Sequence, residues 1–368
     1  MHARRRLLTK AGVFAGAGLL AWAGLGHAQT PVPWRMPDES EPHQRTWMAF
    51  GASADIWGDK LLPEVQRNLA DLARTIAKYE PVSMLVRRSD RATAQSLLQG
   101  ANVTLLDAEL DDLWMRDTGP SFVLNPAKLG ERGAVQFNFN GWGNKQAHAS
   151  DAKVAALVAN HAGVPLLRTP LVMEGGCIEV DGQGTAIVTE SCVLNANRNP
   201  GLSKAAFEAE LKRVLGLTHI IWLPGIKGRD ITDGHTDFYA RFASPGMVLA
   251  GFDPDPQSYD HAVTKAHLHI LRNAKDASGK KLEVVVLQAP ESFSKKHDAA
   301  TFAAGYIGFY VCNGAVIAQK FGDAKADSAA EKLLQQVFKG RVIEQLRMDG
   351  VAAGGGSVHC VTQQEPKA

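Results

Sequence analysis

Residues 174–189, EGGCIEVDGQGTAIVT, contain the pattern on which the fold prediction depends. A polar loop that begins Glu174-Gly175-Gly176 leads into two short apolar runs, Ile178–Val180 and Thr185–Thr189, which flank Asp181-Gly182-Gln183-Gly184. Short strand-prone runs on either side of a glycine-containing turn are typical of a β-hairpin. The segment therefore predicts a polar loop that opens directly into a hairpin.

The same order of elements recurs along the chain. The hairpin at 174–189 is followed by a helical pattern at 204–215 and a strand at 219–222, and this strand–strand–helix–strand unit appears five times, about every 60 residues. Regular repetition is typical of circular or stacked architectures. A doubly wound open sheet is the alternative, although a hairpin in every unit disfavours its all-parallel order. We predict an α/β fold of five repeated units, in which an arrangement around an axis would bring the polar loops together at one end.

The charge and composition narrow the classes of function. The 368 residues are 45% hydrophobic and 21% charged, and the formal net charge is +2. The first 28 residues hold four basic residues (Arg4, Arg5, Arg6 and Lys10) and no acid, so removing them leaves +2 − 4 = −2. A slightly acidic body gives no electrostatic basis for binding nucleic acid. It is compatible with a small cationic substrate.

The N-terminus has the features of an export signal. The three arginines precede an apolar stretch at 11–25, and Gly26-His27-Ala28 offers small residues at the positions that a signal peptidase reads. The paired arginines are similar to a twin-arginine signal. We predict a signal peptide at 1–28, a single catalytic domain at 29–368, export to the periplasm if the source is bacterial, and no stable membrane association afterwards. An uncleaved membrane anchor is the alternative.

The C-terminal segment holds a candidate nucleophile. Gly354-Gly355-Gly356 is costly to order, which indicates a tight turn or a close approach to a ligand. Cys360 follows in a short half-apolar segment that predicts a terminal strand. Its thiol could meet a bound electrophile, or it could be a buried cysteine in a flexible tail. A chain of this size does not need disulfides, so we expect Cys360 to be a free thiol.

His235 is the better candidate for the base that a cysteine nucleophile needs. It lies in Asp233-Gly234-His235-Thr236-Asp237 at the entrance of a strand predicted at 236–242, where alternation would place Asp237 on the same face. A carboxylate beside an imidazole can orient the ring. His359 alternates with Cys360 on the predicted terminal strand, so its side chain should point away. The alternative is that His235 and Asp237 form a surface hydrogen-bonded pair.

Asp117 and Glu174 form a second candidate set. Each acid lies in a glycine-bearing loop that opens a hairpin, and Trp114 precedes Asp117 by three residues. Two carboxylates and a flat aromatic face suit a planar cation that donates several N–H bonds, such as a guanidinium. The alternative is that Asp117 pairs with Arg116 and Glu174 caps a turn. No His-X-X-X-His or Cys-X-X-Cys spacing occurs, so we predict no metal site and no cofactor.

Taken together, the motifs resemble the agmatine deiminase and Porphyromonas-type peptidyl-arginine deiminase family of guanidino-modifying enzymes. The resemblance covers about 330 residues. The matching stretches are Met36-Pro37-Asp38-Glu39, Trp114-Met115-Arg116-Asp117-Thr118-Gly119-Pro120, Glu174-Gly175-Gly176, Asn195-Ala196-Asn197-Arg198-Asn199-Pro200, Thr232-Asp233-Gly234-His235-Thr236-Asp237, and Gly354-Gly355-Gly356-Ser357-Val358-His359-Cys360-Val361-Thr362-Gln363-Gln364.

The resemblance implies a five-bladed, pseudo-symmetric α/β propeller with the site on its axis. It also implies hydrolysis of agmatine to N-carbamoylputrescine and ammonia, or of peptidyl-arginine or free arginine to citrulline. The implied roles are, for the matching residues, Cys360 as nucleophile, His235 as general acid and base, Asp117 and Asp237 as guanidinium ligands, Glu174 as a further acid and Trp114 as a stacking wall.

The chain departs from the family pattern at three places. Cys177 follows Glu-Gly-Gly where Asn is usual, and Ser357 stands where Asn or Gly is usual. The fourth-unit motif Ser-Tyr-X-Asn-Phe here reads Gly305-Tyr306-Ile307-Gly308-Phe309. Losing these polar groups affects the expected substrate more than the expected reaction.

Two other functions remain open from the sequence. An exported binding protein could capture a guanidino compound or amine in the same acidic pocket without turnover. Amidino transfer to an amine would share the first half of the reaction. The oligomeric state is also open, and a homo-oligomer is compatible with the sequence.

Overall fold

Each sequence repeat forms its own small β-sheet. The computed structural model describes residues 34–294, 296 and 301–368, and within them five sheets are present. In four sheets the first two strands are antiparallel, and the third lies parallel to the second after a helical crossover. This arrangement confirms an α/β fold built from five units. The predicted signal peptide at 1–28 lies outside the described residues.

The strands and helices occur in the predicted order. The strands are β1 His43–Phe50, β2 Val82–Val86, β3 Val103–Asp107, β4 Ser121–Leu124, β5 Arg132–Gln136, β6 Leu166–Arg168, β7 Ile178–Val180, β8 Thr185–Thr189, β9 His219–Leu223, β10 Ala240–Ser244, β11 Met247–Phe252, β12 Glu283–Gln288, β13 Tyr310–Cys312, β14 Ala315–Gln319, β15 Val342–Leu346 and β16 Gln363–Pro366. The helices are α1 Ala54–Ile76, α2 Arg91–Leu97, α3 Met115–Thr118, α4 Gly141–Asn144, α5 Val154–Ala162, α6 Glu190–Val193, α7 Lys204–Leu215, α8 His261–Asn273, α9 Ala324–Val337 and α10 Asp349–Ala353. In the part of the chain that the structure describes, no helix has the length and apolarity of a membrane span.

The end of the chain returns to the first sheet. β16 pairs antiparallel with β1, so the strand order there is β16-β1-β2-β3, and Trp47 of β1 lies opposite Gln363 of β16. The last strand thus takes the place that the first hairpin strand has in the other four sheets. This pairing fixes the segment that carries Cys360 beside the N-terminal unit.

Helices bury their apolar faces against these sheets. In α1, Val65, Leu69, Leu72 and Ile76 are fully buried at the 3.6-residue spacing that predicts a helix at 60–79. The helix begins at Ala54, earlier than predicted, because a short first segment joins it through Gly58, whose φ of 66° suits glycine. Burial of this face rather than helix propensity holds the long helix in place.

A short helical turn precedes the first strand of every sheet. These turns are α3 and the 3-10 turns Gly175–Cys177, Thr236–Phe238, Tyr306–Gly308 and His359–Val361. The strands predicted at 236–242 and 306–312 and the predicted terminal strand are therefore wrong in extent, since β10 begins at Ala240, β13 at Tyr310 and β16 at Gln363. In a 3-10 turn successive side chains rotate by about 120° instead of alternating. The predicted strand geometry of the His235–Asp237 and His359–Cys360 pairs does not occur.

Candidate active site

Four of the predicted site residues line one cavity. It has a volume of about 270 Å³, and its walls include Cys360, His235, Asp117 and Trp114. Asp117 and Cys360 lie in the turns before β4 and β16. His235 immediately precedes the turn before β10, and Trp114 immediately precedes α3. The repeat therefore brings together residues that are more than 240 positions apart. The remaining two, Glu174 and Asp237, contact the cavity residues from behind.

The thiol of Cys360 is almost completely buried, with 6% of the residue exposed. Its Sγ lies 3.5 Å from Oγ of Ser357 and 3.9 Å from Oδ2 of Asp237. Burial, together with the carboxylates of Asp237 and Asp117, raises the pKa of Cys360 to about 12. Burial and the neighbouring carboxylates therefore favour the protonated thiol. All four cysteines are free thiols, as expected for Cys360.

Glu174 is the hydrogen-bond partner of His235. The Nε2 atom lies 3.1 Å from Oε2 of Glu174, whereas Nδ1 is 3.8 Å from Asp117 and 4.0 Å from Asp237. The predicted orienting role of Asp237 is thus wrong, because the turn at Thr236–Phe238 carries its carboxylate away from hydrogen-bond distance. Burial opposes protonation of the ring, but Asp117 and Glu174 outweigh it and hold the pKa of His235 well above its usual value. The raised pKa favours the protonated ring, which can donate a proton.

Asp237 is instead held by His359. The Oδ2 atom lies 2.7 Å from Nδ1 of His359, whose Nε2 lies 3.0 Å from Oε2 of Glu39. The prediction that His359 points away from the site is wrong, because the segment is a 3-10 turn. Burial raises the pKa of the Asp237 carboxyl, but the two histidines and Arg241 lower it below its usual value. Its Oδ1 is buried without a hydrogen-bond partner among the described residues.

Glu39, which contacts His359, is itself held by two arginines. Its two oxygens accept hydrogen bonds from Arg241, 2.8 Å away, and from Arg116, 2.9 Å away. The interpretation in which Arg116 pairs with Asp117 is therefore wrong, since Arg116 binds Glu39 and Gln364. Sequence reasoning found Glu39 only as part of a matching motif and gave it no role. Its partners at 116, 241 and 359 are too distant in sequence to predict.

Asp117 is held in place by two donors. Trp142 donates its indole N–H to Oδ2 at 3.0 Å, and the backbone N–H of Gly176 donates to Oδ1 at 3.2 Å. Burial raises the pKa of Asp117 to about 6, with the charge of His235 opposing and that of Glu174 adding to the shift. Asp117 is therefore ionised at neutral pH but poised to take up a proton in mild acid. The sequence did not indicate Trp142 as a site residue.

Glu174 is held in its ionised form by a histidine and an arginine. Burial opposes its ionisation, but the hydrogen bond from His235 and the charge of Arg198 lower the pKa of Glu174 to about 2. Arg198 donates Nε to both Glu174 oxygens, at 2.9 and 3.1 Å, and its Nη1 lies 2.8 Å from Asp233. The carboxylate of Glu174 does not cap the turn that follows it. Arg198 thus fixes the acid that orients His235.

Trp114 forms one wall of the cavity against the glycine loop. Its indole N–H donates to Asp112 at 2.9 Å, and its ring lies 5.8 Å from the ring of Trp57. A side chain at Gly356 would overlap the Trp114 ring, so only glycine permits this contact. The close approach that Gly354-Gly355-Gly356 predicted is therefore an approach to the aromatic wall.

Two of the departures from the family pattern compensate for each other. A β-carbon at Gly308 would overlap the side chain of Ser357, so glycine at 308 makes room for serine at 357. The hydroxyl of Ser357 is the group that reaches the Cys360 sulfur. The third departure, Cys177, lies 3.0 Å from the sulfur of Cys192, in a different place from Cys360.

Comparisons with known proteins point to one family. The family model described as Porphyromonas-type peptidyl-arginine deiminase matches residues 35–366. A Streptomyces coelicolor relative is 42% identical, covering 91% of this chain and 100% of its own length. The agmatine deiminase of Ectopseudomonas mendocina is 35% identical, covering 90% and 95%. The solved structure of the agmatine deiminase of Enterococcus faecalis has a TM-score of 0.86 at 31% identity, covering 91% and 97%.

Proposed function

The chain belongs to the Porphyromonas-type peptidyl-arginine deiminase family, and we propose that it hydrolyses agmatine to N-carbamoylputrescine and ammonia. One observation carries this proposal. A single cavity exposes the Cys360 thiol, the His235 imidazolium and the Asp117 carboxylate to the same small volume. These are a nucleophile, a proton donor and a ligand for a cation, which together suffice for cysteine-dependent deimination.

The carboxylates supply the binding site for the guanidinium. Asp117 lies in the cavity wall, and the Oδ1 atom of Asp237 is a buried acceptor without a partner among the residues described. A guanidinium between these carboxylates would donate to both, while Trp114 offers a flat face for stacking. Localising the positive charge on the nitrogens makes the central carbon a better electrophile.

The rest of the cavity favours agmatine over free arginine. No Arg or Lys is among the described residues that line it, so the α-carboxylate of arginine would be buried without a cationic partner. The walls beyond the acids are largely apolar and include Trp57, Leu61, Ile231 and Phe238. They suit the aliphatic chain of agmatine.

Binding of the cation activates the nucleophile. The carboxylates of Asp237 and Asp117 contribute to the raised pKa of Cys360, and a guanidinium paired with both would offset them. The thiol then loses its proton to solvent, and the thiolate forms a bond to the guanidinium carbon. His235 donates its proton to one nitrogen of the tetrahedral intermediate. The carbon–nitrogen bond breaks, ammonia leaves, and an amidino group remains on the sulfur.

Water completes the reaction. His235, now neutral and oriented by Glu174, takes a proton from a water molecule whose oxygen attacks the amidino carbon. The carbon–sulfur bond breaks, which releases N-carbamoylputrescine and regenerates the Cys360 thiolate. The net change is the addition of one water and the loss of one ammonia.

Replacing the nucleophile tests the proposal. We expect Cys360→Ala to lower the release of ammonia from agmatine by at least about a thousandfold, with an unchanged circular dichroism spectrum. Cys312→Ala is the matched control, since Cys312 is a buried thiol in β13 outside the cavity. Arginine and an arginine peptide should give less ureido product than agmatine. Wild-type turnover by Cys360→Ala would show that Cys360 is not the nucleophile. Binding of agmatine by the wild-type protein without release of ammonia would indicate a binding protein.

We also infer that the five units close into a pseudo-symmetric propeller. Contacts between neighbouring sheets support this. Arg132 of β5 pairs with Glu365 of β16, Arg241 of β10 pairs with Glu179 of β7, and Asn313 after β13 accepts from the backbone of His43 in β1. A crystal structure in which the sheet of β13, β14 and β15 does not contact the sheet of β16, β1, β2 and β3 would contradict closure.

Export remains a separate proposal. We propose that residues 1–28 direct the chain to the periplasm, on the basis of Arg4, Arg5 and the apolar stretch that follows. N-terminal sequencing of protein from a periplasmic fraction should find a start at residue 29. A start at Met1 in the cytosolic fraction would contradict it.

A further inference from the structure

Four buried side chains form a cluster of metal-ligand type next to the cavity. Glu174, Cys177, Cys192 and His235 each offer one ligand atom, and these atoms all lie within 4.8 Å of one another. We propose that the cluster binds a single Zn²⁺ or a similarly thiophilic divalent cation, and that the bound ion reversibly inhibits the enzyme by occupying His235 and Glu174. The inhibitory part rests on the proposed deiminase function, whereas the metal site itself does not.

The spacing of the ligand atoms suits tetrahedral coordination. Ligands at 2.0–2.3 Å from a zinc ion are about 3.3–3.8 Å apart along the edges of the tetrahedron. Oε2 of Glu174 lies 3.0 Å from Sγ of Cys177, 3.6 Å from Sγ of Cys192 and 3.1 Å from Nε2 of His235. The two sulfurs are 3.0 Å apart. Outward movements of the ligand atoms by a few tenths of an ångström would give the spacing of tetrahedral zinc coordination.

The donor set selects the class of metal. Two thiolates with one imidazole and one carboxylate favour zinc over the hard cations Mg²⁺ and Ca²⁺, which prefer oxygen ligands. Three anionic ligands exceed the charge of the ion by one, and the guanidinium of Arg198 offsets the excess through its hydrogen bonds to Glu174. The charges are thus balanced within a fully buried cluster.

Three separate elements supply the ligands. Glu174 precedes the turn before β7 and Cys177 is its last residue. Cys192 lies in α6, and His235 precedes the turn before β10. No local Cys or His motif results, which is why the spacing in the sequence predicted no metal. His235 lines the cavity, so an ion can reach the other ligands past its ring.

The bound ion would affect turnover more than substrate binding. Coordination through Nε2 removes His235 as the proton donor, while Asp117 and Asp237 are not ligands and remain available to the guanidinium. We therefore expect zinc to lower kcat more than it raises KM.

Cobalt binding to the reduced full-length chain tests the site directly. After reduction, four thiols per chain should titrate under denaturing conditions, and Co²⁺ should then bind to the folded protein at one equivalent with a thiolate-to-metal charge-transfer band. Cys177→Asn and Cys192→Ala should lose the band. Cys312→Ala should keep it. Failure of fully reduced wild-type protein to bind one equivalent would overturn the proposal.

The nucleophile variant separates this site from the cavity. Cys360→Ala should bind cobalt as the wild type does, because Cys360 is not a ligand. If Cys360→Ala loses the charge-transfer band and Cys177→Asn keeps it, the ion sits at the catalytic thiol and the proposed site is wrong. This comparison requires no turnover, so it stands even if the deiminase assignment fails.

Measurement of the deiminase activity tests only the proposed inhibition by zinc. At a buffered free zinc concentration that loads the site, the wild type and Cys312→Ala should lose at least about tenfold in kcat, with recovery after EDTA. The ratio of activities with and without zinc should be near one for Cys177→Asn. Equal inhibition of Cys177→Asn and wild type would overturn the inhibitory role.

Discussion

The Nδ1 atom of His359 lies 2.7 Å from the Oδ2 atom of Asp237, although 122 positions separate the two residues. The same Oδ2 is 3.9 Å from the Cys360 sulfur. The other ring nitrogen of His359 contacts Glu39, which two arginines hold. A buried chain of polar contacts therefore fixes a carboxylate beside the proposed nucleophile. Because each residue of this chain of contacts is bonded to the next, it can hold that carboxylate in place.

Loss of this support should reduce catalysis without unfolding the chain. We expect His359→Phe to lower kcat/KM for agmatine by about a hundredfold, because Asp237 loses the group that positions it. His267→Phe is the matched control, since His267 is equally buried but lies in α8 away from the cavity. Steady-state kinetics of both variants measures kcat/KM for agmatine. Equal effects of the two substitutions would mean that His359 is only part of the core.

The backbone at residue 176 should tolerate no side chain. A β-carbon there would lie 2.5 Å from Nδ1 of His235 and 3.1 Å from oxygens of Asp117 and Asp237. Gly176→Ala should therefore lower kcat by at least about a hundredfold through displacement of these groups. Gly305→Ala is the control in the corresponding loop, where the nearest neighbour of an added β-carbon is 3.9 Å away. Full activity of Gly176→Ala would contradict the site geometry.

Activity should fall in mild acid because Asp117 takes up a proton. Burial raises the pKa of Asp117 to about 6, so the carboxyl is neutral below that pH and cannot pair with a guanidinium. We expect kcat/KM to decrease tenfold per pH unit below about 6. The hydrogen bond from Trp142 lowers this pKa, so Trp142→Phe should move the decrease to higher pH. The pH profiles of both proteins check this, and an unmoved profile would contradict it.

Arg198 should matter for stability as well as for the site. Its side chain is fully buried and pairs with Glu174 and Asp233, so Arg198→Met would remove a charged partner from each of two buried carboxylates. We expect the free energy of unfolding to fall by about 3–5 kcal/mol. Lys128→Met, at an exposed pair with Glu131, should change it by less than about 1 kcal/mol. Urea unfolding of the two variants measures the free energy of unfolding of each. Similar unfolding midpoints would contradict the expected destabilisation by Arg198→Met.

Local patterns in the sequence predict the five units of the fold and the loops that carry the site residues. Hairpins with glycine turns and one amphipathic helix per unit depend on residues close in sequence, so five sheets followed from the sequence. The candidates His235, Asp117, Glu174 and Trp114 are recognisable because each lies in a polar or glycine-bearing loop before a hairpin. Cys360 is recognisable because it follows a run of three glycines. The glycines at 354–356 also indicated a close approach.

The partners of these residues were decided only by the tertiary structure. Glu174 rather than Asp237 orients His235, Trp142 holds Asp117, and Glu39 supports His359, across separations of 25 to 320 positions. The turn at Thr236–Phe238 also replaced a predicted strand, which changed the direction of Asp237. Periodicity in a sequence describes which face of an element is buried. It contains no information about which distant groups will meet there, because hydrogen bonds between buried polar groups depend on how the five sheets pack.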